Sequence, residues 1–243
     1  MSAGLYARAL QLADKALNEP TLVAPTTNEG MLAAARTVRD RVYPLLLVWK
    51  ATGQEKYIQR AWRDLAVATQ LPSWRPEHFL GTAEMMASLA VAYDWGSGYW
   101  SASQKQQLVA ALVEKGVGPA LSVLRAPAAP GSAKDWRALA TNVNVVINSA
   151  LIMTAIALNG DATAPVDELL DAATDSLAVG LTSYAADGSV VEGPTYWVYA
   201  TRYLVSAALS RRQWDGQEPL GRVDQEVSFL GGQVLNGDAT GDL

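Results

Sequence analysis

The sequence predicts an all-α fold. No segment sustains the apolar–polar alternation of a half-buried strand, and long stretches repeat apolar residues at helical spacing. Very apolar stretches around Ala83, Ile147 and Leu204 alternate with amphipathic ones. That alternation suggests two concentric layers, inner helices lined with small residues and outer helices facing water. A helical (α/α) toroid built of antiparallel hairpins fits it, with a superhelical stack as the structural rival.

Taken in order, Leu5 to Leu17 reads as an amphipathic helix closed by Asn18-Glu19-Pro20. Met31 to Thr52 reads as a long helix that Pro44 should kink or break, with Gly53 as its C-terminal cap. Glu55 to Gln70 follows after a short connection, so the two form an antiparallel hairpin. Leu71 to Pro76, with two prolines and Trp74, is a turn. Glu77 to Trp95 is apolar and rich in small residues, hence an inner helix, and Gly96-Ser97-Gly98 ends it. Ser101 caps a helix that runs to Leu124, and Gln104 completes a capping box. Ala126 to Lys134 is a linker too short to mark a domain boundary. Asn142 to Leu158 is a buried helix and Ala164 to Tyr184 an amphipathic one. Ala185 to Ser189 is a turn, and Val190-Val191 is briefly extended. Pro194 suits the first position of a helix reaching about Arg212, since its missing N–H has no intrahelical partner there. From Gly221 a helix starts and then dissolves into Gly, Asp and Asn.

A chain of 243 residues, 50% hydrophobic, fits one large domain or two small ones with a substantial core. Its net charge of −5 opposes a nucleic-acid or anionic-membrane surface. With no cysteine and a single histidine, His78, thiolate and histidine-rich metal centres are excluded, and no metal or cofactor is expected. Eight Trp and nine Tyr against two Phe give nearly every ring a hydrogen-bonding handle, suited to sugar faces and to wet helix ends. Met1 to Pro20 lacks the pattern of a signal peptide, and no run is expected to approach membrane-spanning length.

The stretch that reads as a site is Glu192-Gly193-Pro194-Thr195-Tyr196-Trp197-Val198-Tyr199-Ala200-Thr201-Arg202-Tyr203. A turn carrying an acid opens into a helix whose Tyr196, Tyr199 and Tyr203 project from roughly one face, with Arg202 beside it.

Several segments together resemble the helical-toroid domain of the heparinase II/III-like polysaccharide lyases, a group that includes oligo-alginate lyases. They are Trp74-Arg75-Pro76-Glu77-His78-Phe79-Leu80-Gly81-Thr82-Ala83-Glu84-Met85, Ala92-Tyr93-Asp94-Trp95, Ala140-Thr141-Asn142-Val143-Asn144-Val145-Val146, Asp187-Gly188, Glu192-Gly193-Pro194 and Tyr196-Trp197-Val198-Tyr199. The resemblance implies an incomplete toroid over residues 1–235, with 236–243 opening the link to a β-sandwich that this chain lacks. It implies a periplasmic or secreted bacterial enzyme acting on an acidic polysaccharide or oligosaccharide.

Such lyases cleave uronic-acid glycans by β-elimination. They must neutralise the substrate carboxylate, remove the weakly acidic proton beside it and protonate the leaving oxygen. The resemblance assigns the base and acid to Tyr196, with Tyr199 the fallback, and carboxylate binding to Asn142. A phenol of pKa near 10 needs a nearby cation, Arg202 or Arg137, to ionise at neutral pH. Asn142 equally suits a helix N-cap, and Asn144 faces either the cleft or the inner layer. Glu192, Trp197 and His78 complete the expected binding residues. Many relatives carry histidine where this chain has Val143, which removes one candidate base. Glu84 and Asp94 read as site or structure alike.

Helical toroids also host glycoside hydrolases, whose two carboxylates stand about 5–5.5 Å or 6.5–9.5 Å apart. Glu192 with Asp94 or Asp135 is the pair to consider. A third reading is a non-catalytic module that binds acidic glycan.

Overall fold

The computed structural model describes residues 3–127 and 135–215. Most of the expected linker at 126–134, the helix expected from Gly221 and the expected link at 236–243 lie outside the described residues. The described residues are all-α: α1 (Ala3–Asn18), α2 (Asn28–Thr52), α3 (Glu55–Gln70), α4 (Leu80–Trp95), α5 (Ala102–Leu112), α6 (Gly118–Arg125), α7 (Asn142–Ala157), α8 (Val166–Leu181) and α9 (Pro194–Asp215).

The helices form two layers. Helices α2, α4, α7 and α9 follow one another as neighbours, backed by α1, α3, the α5–α6 run and α8. Three contacts set α2 and α4 parallel. Gly81 lies against Met31 and Leu32, Glu84 binds Arg36 and Arg39, and Tyr43 donates to the Ala87 carbonyl. Helix α9 runs the same way, with Tyr199 level with Arg36 and Tyr203 level with Arg39. The last turns of α4, α7 and α9 meet around a hollow lined by Asp94, Ile156 and Trp214. All four inner helices therefore present their N-termini at one rim. The outer helices return antiparallel, as α8 does where Ser176 meets Asn148 and Gly180 meets Asn144.

Burial follows the layers. Helix α4 is apolar on every side, and α7 is buried from Asn144 to Ala155 without interruption. At Gly81 a Cβ would lie 3.0 Å from the backbone nitrogen of Leu32, so the absent side chain sets how closely α2 and α4 approach.

Several expectations hold in detail. Gly53 caps α2 with φ 69° and donates to the Trp49 carbonyl. Ser101 and Gln104 form the capping box. Tyr184 and Val190 pair across the 185–189 turn.

Others are corrected. Pro44 does not break α2, which leaves the expected kink as the alternative; it is buried inside the one helix Asn28–Thr52. Glu77–Phe79 is not helical, because Phe79 takes φ 57° to bury its ring against Trp136 at 5.5 Å, and helix geometry resumes at Leu80. The Ser101 helix contains a π turn at Val113–Val117, where the Gly118 N–H reaches back to the Val113 carbonyl just before Pro119, which has no N–H. The run Ala102–Arg125 is also long and apolar enough to cross a membrane by length and composition, against expectation. In the fold it packs on α3, α4 and α8.

Candidate functional site

At the rim formed by the inner N-termini, α7 begins at Asn142, with Thr141 as its N-cap residue. The Thr141 side chain does not cap the helix. The capping group arrives from fifty residues away: the Glu192 carboxylate accepts from the Asn142 backbone N–H at 2.6 Å and from its side-chain amide at 2.5 Å. A carboxylate at that point is favoured by the partial positive charge of a helix N-terminus. Asn142 is thus a first-turn residue that clasps a carboxylate with two donors.

Two residues past Glu192 the chain enters α9. Gly193, at φ 88°, makes the sharp turn that brings Glu192 onto α7 and still lets Pro194 start the helix. Trp197 ties this corner down by donating its indole N–H to the Gly188 carbonyl at 2.8 Å. Tyr196 is 50% exposed, and its hydroxyl has no hydrogen-bond partner among the described residues.

The three tyrosines of α9 do not share one environment. Tyr199 and Tyr203 turn inward and both donate to Glu84, at 2.5 and 2.8 Å. Glu84 is fully buried and also pairs with Arg36 at 3.0 Å and Arg39 at 2.7 Å. Its carboxylate is thus satisfied from two helices, α2 and α9, while its backbone carbonyl accepts from Ser88 of its own helix. Burial and the Glu84 charge raise the Tyr199 phenol well above its ordinary value, against a smaller opposing pull from Arg36. Tyr203 shifts the same way for the same leading causes, with Arg39 opposing. Both phenols stay protonated at neutral pH, so Tyr199 is a donor to Glu84 and not a base.

The cations expected near Tyr196 are engaged with other groups. Arg202 lies six residues on, about 9 Å along the helix axis, with its guanidinium over the rings of Tyr199 at 5.1 Å and Tyr203 at 5.4 Å. Arg137 is held by Asp135 through two short contacts of 2.6 Å and by the carbonyls of Leu124, Ala126 and Pro127. Asn144 is fully buried and anchors the 136–137 backbone to Ser176 of α8, so it belongs to the inner packing. His78 is exposed in the turn before α4.

The carboxylates that a hydrolase would pair each have other partners or positions. Glu192 is engaged by Asn142 and Asp135 by Arg137. Asp94 sits in the last turn of α4, about 15 Å along that axis from Glu84, at the opposite end of the inner layer from Glu192. Among the described residues, no group of three or more His, Asp or Glu is arranged to hold a metal ion.

Sequence reasoning singled out Glu84 without a role and missed Arg36 and Arg39. The signal was present: a carboxylate inside an otherwise apolar helix must find cations or donors, and two arginines one turn apart on a neighbouring helix supply them. No protein-family model matches this chain, and no curated protein matches it.

Proposed function

We propose that the chain is the helical part of a lyase that cleaves uronic-acid glycans by β-elimination, its two-layer array belonging to a helical toroid. The observation that supports this most is the clasp at Asn142, whose two donors hold the Glu192 carboxylate four residues ahead of the exposed Tyr196 in the chain. The Glu192 carboxylate stands in for that of a uronate, and a bound substrate takes its place. Parallel inner helices add their positive ends at the same rim, which favours an acidic ligand there.

In this reading the Asn142 donors draw charge from the substrate carboxylate, which acidifies the adjacent C–H. Tyr196 takes the base role that the resemblance assigns to it and removes that proton, and the C–H electron pair becomes the new C=C bond. The bond to the glycosidic oxygen breaks, and the leaving oxygen takes the proton back from the Tyr196 hydroxyl. No water is consumed and no cofactor is needed. Glu192 is a binding-site residue here, displaced rather than catalytic. Trp197 fixes the corner on which Tyr196 rides.

The test is incubation with a panel of uronic-acid polysaccharides and oligosaccharides, following the ultraviolet absorbance of the unsaturated product. Product that falls by about a hundredfold or more in Tyr196→Phe supports elimination with Tyr196 as base and acid. New reducing ends without absorbance would replace this reading with hydrolysis. Glycan binding that survives Tyr196→Phe, with no turnover in either protein, would replace it with a non-catalytic module.

A further inference from the structure

A cavity of about 700 Å³ lies between α1, α2 and α9, away from the Asn142 rim. Its size suits a small molecule. Leu12, Pro44 and Met153 give it apolar wall, and Tyr43 and Tyr203 also line it.

Its charge is uneven. Four cations line it, Lys15, Arg39, Arg41 and Arg202, against the acids Glu19 and Asp40. Lys15 and Arg41 pair with Glu19, and Arg39 pairs with Asp40 and Glu84. Arg202 differs. Among the described residues it has no carboxylate within ion-pair distance, yet two tyrosine rings under its guanidinium hold it in place. Across the cleft its charge reaches Tyr43, where it opposes the rise that burial gives that phenol.

An arginine stacked on rings, exposed and without an anion, is a preformed fork for two oxygens of a carboxylate or a phosphate. We propose that this cavity is a second binding site, taking a small organic oxyanion of about monosaccharide size that Arg202 holds in a bidentate pair. The site is separate from the Tyr196 rim and does not rest on the lyase reading.

The experiment is calorimetric titration of the full chain with glucuronate, glucose 6-phosphate and glucose, repeated on Arg202→Ala and Arg202→Lys. The expected result is that at least one of the two anions binds, that glucose does not, and that Arg202→Ala weakens binding about tenfold or more. Arg202→Lys keeps the charge without the fork and should fall between the two. Preference for glucuronate identifies a carboxylate ligand; preference for glucose 6-phosphate identifies a phosphate. Arg202 is exposed, so the variants should unfold at nearly the parent temperature, and the thermal midpoint is measured on the same samples. No anion binding, equal binding of glucose, or unchanged affinity in a folded Arg202→Ala variant would overturn the site.

Discussion

Glu84 has no contact with water and is surrounded by two guanidinium groups and two phenols. The phenols carry a consequence for alkaline pH. Tyr199 and Tyr203 hold their protons more tightly folded than unfolded, because burial and the Glu84 charge disfavour the phenolate. The unfolded chain therefore loses these protons first, starting near the ordinary phenol value of about 10. Their contribution to stability is complete below that pH and declines above it, until the folded phenols ionise in turn. Urea midpoints measured from pH 8 to 11 should fall steeply beyond about 10, and Tyr203→Phe should flatten that fall. An equally steep decline in the variant would remove Tyr203 from the account. At this scale the sequence was partly legible. Spacing put the three tyrosines on one helix, but which of them turn inward depends on Glu84 of another helix, and spacing along α9 carries no record of it.

The pairing of α2 with α4 depends on Gly81. Glycine in a helix interior costs about 1 kcal/mol relative to alanine, so Gly81→Ala would stabilise an isolated α4. In this fold the new Cβ would meet Leu32 backbone atoms at 3.0 and 3.2 Å, and backbone cannot swing aside as a side-chain tip can. The helices must separate, at a cost of about 1–3 kcal/mol. Chemical denaturation of Gly81→Ala should show a net loss, and a gain would mean that the two helices have slack. Helix ends governed by local chemistry were readable, as Gly53 and the Ser101–Gln104 box attest. The beginning of α4 was not. Phe79 adopts a left-handed backbone to reach Trp136, a residue far along the chain, and this demand overrides the local helical pattern of Glu77 to Leu80.

Across the whole molecule, α4 and α7 are enclosed by neighbours while α1, α3 and α8 keep one face in water. Amides of α4 and α7 should then exchange with deuterium only when the domain opens globally, and those of α1 earlier, through local opening. Hydrogen exchange read by mass spectrometry checks this, and early exchange in α7 would contradict the layering. The two layers were legible because the apolar and amphipathic stretches alternate along the chain. The Asn142–Glu192 clasp was not, since no local pattern ties residues fifty positions apart.

Glu84 also has a meaning in time. Its arginines precede it in the chain by 48 and 45 positions, whereas its phenols follow it by 115 and 119. As the chain leaves the ribosome, the first hairpins can gather around α4 and satisfy the charge, but two of its hydrogen bonds must wait until α9 is made. The carboxylate acts as a latch that α9 closes, so a nascent chain stopped before Tyr199 keeps its early hairpins without the lock that fastens them to α9.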